Sequence, residues 1–253
     1  LQVGLNDNFA VNEIGVNGFE KGLVEAIRET CGITALGVLA LLAGLAEPII
    51  GAAMLMVFGL ALSANYLVED LGWFIVVSVL WSQGLHVWMP LPSSMAMSLA
   101  EPGQTGRRLG QLQAAGAVGG LIGFVLARGL AALGVTIRPM FVLAGGAAVL
   151  AAAACLMVPR DIKTPGPRFI FRRRYGLYYL LSFLEGWRKQ IFLAFAGFLL
   201  VKNHDLPLET MLTLWLLSQS ALWLVAPLAG RLIDRLGERL VLTLYYIGLI
   251  GLF

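Results

Sequence analysis

The chain has 253 residues, 58% of them hydrophobic and 13% charged, with a net charge of +3 and a mean hydropathy of +0.82. A soluble domain carries about 25% charged residues, so there is too little polar surface here to coat a water-facing globule, whereas a bilayer tolerates this balance. The basic residues stand in short clusters between apolar runs, a pattern that sets membrane topology and argues against nucleic acid as a partner.

Residues 1–12 read as the outer end of one span. Further spans are expected at 22–45, 49–67, 72–98, 113–133, 139–158, 176–201 and 207–228. They are too long and too apolar on every face for helices of a soluble core. A last run starts near Leu240 and stops at Phe253, about 14 residues where ~20 are needed to cross. With no Met at the start, the chain is expected to be truncated at both ends. Cys31 and Cys155 lie inside apolar runs and read as small core residues, with no disulfide framework or metal-ligand spacing.

The polar breaks fall into two alternating sets. One holds Arg107 and Arg108, then Arg160, Lys163, Arg168 and Arg172 to Arg174, then Arg231, Arg235 and Arg239. The other holds Glu69 and Asp70, then Arg138, then Lys202, His204, Asp205 and Glu209. The positive-inside rule places the first set in the cytoplasm. The break near Glu47 belongs with it by alternation yet carries no Lys or Arg. The longest polar stretch, 159–175, holds Pro159, Pro165 and Pro167 and reads as a linker between two helical halves, its basic run anchoring topology against anionic headgroups.

Charges inside the runs are the candidate site. Glu25, Arg28 and Glu29 share one helical face by their i, i+3, i+4 spacing, and so do Glu185, Arg188 and Lys189. Each unpaired charge at the bilayer centre costs ~2.5–3.5 kcal/mol, so both faces must look into protein or water. Both sets read either as self-neutralised pairs that lock helices or as groups that meet a solute. In the second set one carboxylate beside two cations favours an anionic or zwitterionic solute, and Glu185 is a candidate carrier of a coupling proton. The run 72–98 carries Gln83, His86, Pro90, Ser93, Ser94 and Met97 on one stripe opposite Trp81 and Trp88. His86, with an ordinary pKa near neutrality, reads either as a proton shuttle or as a plain hydrogen-bonding group. Gly116, Gly119, Gly120 and Gly123 form overlapping Gly-x-x-x-Gly pairs, read as a packing face or as a sliding surface between halves.

The segment Gly230-Arg231-Leu232-Ile233-Asp234-Arg235-Leu236-Gly237-Glu238-Arg239 resembles the signature loop of the major facilitator superfamily, Gly-x-Leu-(Ala/Ser)-Asp-(Arg/Lys)-x-Gly-(Arg/Lys)-(Arg/Lys). Gly230, Leu232, Asp234, Arg235, Gly237 and Arg239 match, while Ile233 and Glu238 depart. In that family the loop follows the second helix and recurs, weaker, after the eighth. Counting back from an eighth helix makes the runs helices two to eight and turns 159–175 into the central cytoplasmic linker. Gly44-Leu45-Ala46-Glu47-Pro48 then stands as a shortened relic of the first-half signature, and Gly106-Arg107-Arg108-Leu109-Gly110 as the basic loop after helix four. Leu80 stands where many proton-coupled members place an arginine before Gln83-Gly84, and no Gly-Pro pair of the antiporter type occurs in helix five.

The resemblance implies an all-α, polytopic membrane protein, a bundle of two pseudo-symmetric halves. Residues 1–158 form the first half, 159–175 the linker and 176–253 the start of the second. It implies a multi-pass protein of the plasma (inner) membrane, a secondary active transporter or permease working by alternating access. The solute cavity would use Asp7, Glu25, Arg28, Gln83, His86, Glu185, Arg188 and Lys189. Gly230, Asp234, Arg235, Gly237 and Arg239 would form a cytoplasmic gating loop, with Asp234 near the start of the next helix, favoured by its dipole. The expected partners are lipid, a small solute and a coupling proton or sodium ion, with no cofactor and no metal. An enzyme is disfavoured, because two histidines and no Gly-x-Ser-x-Gly elbow give little to build on. A transporter-fold membrane protein with a sensor or structural role and no transport is the alternative. In a background lacking Cys31 and Cys155, cysteines introduced at positions 104 and 165 should react with an impermeant maleimide only after permeabilisation; labelling in intact cells at either position overturns the topology.

Overall fold

The computed structural model describes residues 2–101, 103–163 and 172–252. Among these, the chain is helical with short turns and no strand. The helices are α1 (Gln2–Asn8), α2 (Gly18–Leu41), α3 (Glu47–Ala64), α4 (Leu71–Trp88), α5 (Leu91–Ser98), α6 (Thr105–Ala132), α7 (Ile137–Cys155), α8 (Gly176–His204), α9 (Leu208–Leu236) and α10 (Glu238–Leu252), with a π-helical turn at Phe9–Glu13 after α1. Of the proposed linker 159–175, residues 164–171 lie outside the described residues.

Among the described residues five segments are long and apolar enough to cross a bilayer: Glu47–Leu67, Leu71–Ser98, Thr105–Ala132, Ile137–Cys155 and Leu208–Ile233. Helices α2 and α8, with 24 and 29 residues, have the length to cross but carry the charged faces noted above.

Local chemistry moves several helix ends away from the ends of the apolar runs. At Asn17 the side chain accepts from the Glu20 N–H at 3.0 Å, and the Glu20 carboxylate accepts from the Asn17 N–H at 2.9 Å. This capping box starts α2 at Gly18, four residues before its apolar run. The run 72–98 is two helices, because Pro90 and Pro92 lack the N–H groups a continuous helix needs. The polar stripe read along it is therefore broken between His86 and Ser93. Helix α9 continues past its apolar run to Leu236 and ends at Gly237, whose φ of +82° favours glycine. Asp234 thus lies in the last turn of α9 and not at the start of α10, which Glu238 opens.

One end of the bundle collects the basic segments. Arg108 of α6 and Val158, just past α7, line the same cleft. A Cβ built on Gly230 of α9 stands 3.3 Å from the Gly106 carbonyl oxygen. The α2–α3 turn joins them, since the Glu47 N–H donates to the Ile162 carbonyl at 2.9 Å. That turn therefore lies beside Arg160 and Lys163 without a basic residue of its own. At the opposite end Arg138 donates to Glu13 at 3.0 Å and to the carbonyls of Tyr66 and Val68 at 3.0 and 2.7 Å.

Glycine sets the closest helix approaches. On α3, a Cβ on Gly59 would lie 2.6 Å from the Gly145 carbonyl oxygen of α7, and one on Gly145 would strike Ser63 Oγ and the Gly59 carbonyl. A Cβ on Gly84 of α4 would lie 2.7 Å from the Met54 carbonyl oxygen of α3. Helices α6 and α9 pack along a seam where Gly120 faces Gln219, Gly110 faces Ala226 and Pro227, and Phe124 stacks on Trp215 with centroids 6.3 Å apart. Gly116 and Gly119 face open space, so the expected Gly-x-x-x-Gly face is used at Gly120 and left open at those two positions. Both cysteines are buried, as expected of core residues. Overpacking typically costs about 1–3 kcal/mol, so Gly145→Ala should lower the unfolding midpoint in detergent, whereas Gly146→Ala, with nothing within 4 Å of its Cβ, should leave it unchanged.

Candidate functional site

A chain of charges runs from α1 through α2 to α4. Lys21 donates to Asp7 at 3.0 Å and lies 2.9 Å from Glu25. Arg28 pairs with Glu25 and, at 2.7 Å, with Glu29. Glu29 Oε2 faces His86 Nε2 at 3.6 Å. Asp7 and Lys21 keep only 6% and 3% of their side chains exposed, and Glu25 10%. Exposure then rises to 16% at Arg28 and 32% at Glu29 and falls back to 18% at His86, so the chain is sealed at Asp7 and most open at Glu29.

The helix spacing explains the order. Lys21, Glu25 and Arg28 follow at i, i+4 and i+7, one stripe of α2. Across from it, α4 supplies Trp81, on whose ring Arg28 lies at 5.2 Å, and Ser82 and His86, one turn apart. Ser82 Oγ donates to the Arg28 carbonyl at 3.3 Å. His86 Nδ1 lies 2.9 Å from the Ser82 carbonyl oxygen. That oxygen only accepts, so Nδ1 carries the hydrogen, and Nε2 is the nitrogen that looks at Glu29. Gln83 accepts from Thr34 Oγ1 at 2.6 Å. Among the described residues the donors Arg28 Nε and Gln83 Nε2 are buried without a partner.

Helix α8 closes this region. A Cβ on Gly197 would collide with Asp7 Oδ2, so only glycine lets α1 come this close. Lys21 also lies over the Phe198 ring at 5.9 Å. Between α2 and α8 is a cleft of about 290 Å³ whose walls include Glu25, Glu29, Trp187, Gln190 and Phe195.

The structure brings Asp7, Glu25, Arg28 and His86 into one network and sets Gln83 beside it through Thr34. It does not bring Glu185, Arg188 and Lys189 there. Arg188 and Lys189 lie 2.9 and 3.4 Å from Glu185. Tyr245 of α10 donates to Glu185 at 3.2 Å and accepts from Arg188 at 3.2 Å. At 100° per residue this is the face of α8 opposite Trp187, Gln190 and Ala194. In the loop motif, Gly230 sits on the α6–α9 seam against Gly106, Gly237 makes the turn, and Arg235 and Arg239 are exposed. The Asp234 side chain lies outside the described residues.

Sequence reasoning missed Lys21, which stands at the edge of its apolar run. Its i+4 relation to Glu25 was the available signal. It also missed Trp187, Gln190 and Gly197, which only tertiary packing places at the site. Among the described residues no group of three His, Cys, Asp or Glu side chains is placed to hold a metal ion.

Removing one partner of a buried ion pair costs about 3–5 kcal/mol. Lys21→Met should lower the unfolding midpoint by that equivalent, and Asp7→Asn added to it should restore part of the loss. Lys202→Met, at an exposed position, should change stability by no more than about 0.5 kcal/mol.

Residues 6–253 match the family model described as Major Facilitator Superfamily. No curated protein and no solved structure matches the chain.

Proposed function

We propose, for a chain that belongs to the major facilitator superfamily of membrane transport proteins, an alternating-access mechanism that moves a small charged solute. Membership makes it an integral, multi-pass membrane protein whose partners are lipid and a small solute. The observation that carries the finer reading is the graded charge network ending in the α2–α8 cleft.

Glu25 and Glu29 line the cleft, and Arg28, paired with both, lies behind them on α2. In this reading a solute carboxylate takes up the Arg28 Nε–H, buried without a partner among the described residues, and an ammonium group binds Glu29. Trp187 and Phe195 supply flat apolar walls, and Gln190 a polar edge. A zwitterionic solute satisfies all of these, and an anionic one satisfies Arg28 alone. Pockets of this kind, mostly apolar with a few placed polar groups, suit small ligands.

The network also points to a coupling proton. Asp7, Glu25 and Glu29 carry three negative charges against two permanent cations, Lys21 and Arg28. One proton shared by Glu29 and His86 neutralises the excess. The geometry suits it, since Nε2 faces the carboxylate while Nδ1 is committed to Ser82. Alternating access would open the cleft to one side and then the other, with the site reachable from both. The basic end is assigned to the cytoplasm by its Lys and Arg content, which places the Gly230–Arg239 loop at the cytoplasmic end of the seam. Glu185, Arg188 and Lys189 act in this reading as the group that holds α8 to α10.

The test is uptake of labelled charged solutes by the full-length protein in proteoliposomes under an imposed proton or sodium gradient. Zwitterions should accumulate with the proton gradient. Arg28→Gln should abolish binding. His86→Gln should remove the proton dependence while solute exchange persists. Asp234→Asn should slow transport and leave affinity intact, because the loop lies far from the cleft. Accumulation driven by sodium alone, or Arg28→Gln with normal binding, overturns the reading.

A further inference from the structure

A second cleft, larger than the first, opens at the basic end on the other side of the first-half helices. It measures about 690 Å³, within the ~300–1,000 Å³ typical of ligand pockets. Its walls are almost wholly apolar, formed by Trp88 of α4, Met95 and Leu99 of α5 and its end, Leu112 of α6, and Ala151 and Ala154 of α7. Helices α6 and α7, joined by a short turn at the opposite end, touch over little of their length. Leu150 of α7 and Met157, just past its end, are apolar and 73% and 86% accessible, as residues in contact with hydrocarbon are.

The mouth has a different chemistry. Arg108 and Gln111 belong both to this cleft and to an adjoining polar pocket of about 230 Å³ that also includes Glu101, Gln104 and Arg107. Arg107 donates to Gln104 Oε1 at 3.1 Å and Arg108 to Gln111 Oε1 at 3.4 Å. Glu101, the one carboxylate in that pocket, accepts from Gln104 at 2.5 Å. Among the described residues neither arginine is paired with a carboxylate, so two exposed guanidinium groups stand at the rim of an apolar slot. Arginine is suited to phosphate, which it can meet with two parallel N–H groups.

Depth matches a single leaflet. Leu55, at the inner end of the cleft, lies eight residues into α3, ~12 Å from the basic end at 1.5 Å per residue. Half of a hydrocarbon core of ~30 Å is close to that. The leaflet at the basic end, under the positive-inside rule, is the cytoplasmic one, where anionic lipids concentrate.

We infer that this cleft is a binding site for one anionic phospholipid, with an acyl chain between α6 and α7 and its phosphate on Arg107 and Arg108. The site is separate from the charge network and independent of the transport reading. A free phosphate would use only the rim and a neutral lipid only the slot, whereas an anionic lipid uses both.

Trp88, half-buried on the cleft wall, makes the site measurable, because a bromine atom on an acyl chain quenches a nearby tryptophan. The full-length protein in phosphatidylcholine nanodiscs is titrated with phosphatidylglycerol or phosphatidylcholine of identical brominated chains. Phosphatidylglycerol should quench with roughly thirtyfold preference, about fivefold for each arginine near an anionic surface. Arg107→Gln and Arg108→Gln should each lose about that fivefold. Ala151→Phe, which fills the slot from an exposed position, should abolish the quenching by both lipids. The Trp88→Phe variant should lose this component of the quenching. If that variant fails to fold, native mass spectrometry of the unaltered protein, equilibrated with equal amounts of both lipids, should show phosphatidylglycerol retained one to one. Millimolar inorganic phosphate should not displace it. Equal retention of the two lipids, displacement by phosphate alone, or a cleft covered by a second copy of the chain in cross-linking overturns the proposal.

Discussion

Lys21 is sealed between Asp7 and Glu25, and much of the packing of α1, α2 and α4 follows from that. Five charges on α1 and α2 would cost on the order of 12–18 kcal/mol if left unpaired in hydrocarbon. An ordinary domain has only about 5–15 kcal/mol of net stability to lose. Each charge must therefore meet the next, and the demand dictates the packing. Asp7 brings α1 against α2. Glu25 is shared between Lys21 and Arg28, so neither cation can turn away. Arg28 is held over Trp81, which fixes α2 on α4. The approach of α8 then depends on a side chain being absent, at Gly197 beside Asp7.

Where no charge needs a partner, the helices close by another rule. Lipid tails are as apolar as the side chains, so apolarity alone does not drive helix onto helix in a membrane, and contact depends on close fit. The α3–α7 crossing is glycine against glycine at Gly59 and Gly145. The α6–α9 seam is held mainly through small residues and one stacked ring pair, with one polar bond among the described residues, Arg128 to Thr213 at 3.0 Å, beyond the stack. Polar pairing thus specifies how α1, α2 and α4 meet, and small residues let α6 and α9 lie close without locking them by strong directional bonds.

This division explains what could be read from the sequence. Hydropathy and Lys/Arg alternation reveal the helices, their order and the shared end of the basic segments, because the bilayer acts on every residue of a span. The face holding Glu25, Arg28 and Glu29 is legible because side-chain spacing on a helix is fixed. Helix ends are less so. Hydropathy marks where lipid stops, whereas α2 starts at its Asn17 capping box and α9 stops at Gly237. The Asn-x-x-Glu spacing and the glycine were both in view, and neither registers in an apolar run. The break at Pro90 was likewise visible as a residue and hidden by the apolar residues around it. What no local pattern shows is which face of α8 meets α2. Its charged face catches the eye, yet it is the plain face of Trp187, Gln190 and Ala194 that lines the cleft.

The two faces of α8 differ in how firmly they hold their neighbours. Toward α10, Glu185, Arg188 and Tyr245 form a closed triangle of charged and polar bonds of 2.9 to 3.2 Å. Toward α1 and α2, α8 offers a ring under Lys21 at 5.9 Å, a glycine beside Asp7 and the open cleft. The ammonium and carboxylate groups on that side are already paired with one another on α1 and α2, so withdrawing α8 breaks no ion pair. Parting α10 from α8, by contrast, would strip the Tyr245 hydroxyl from both Glu185 and Arg188 and lose two polar bonds. In the proposed alternating-access cycle, α8 therefore parts from α2 more easily than from α10, and the cleft lies on the boundary that opens. A solute bridging Arg28 and the α8 wall would bind most tightly when that boundary is shut, which gives its binding a differential affinity for the closed form, the requirement for any ligand to drive a conformational change.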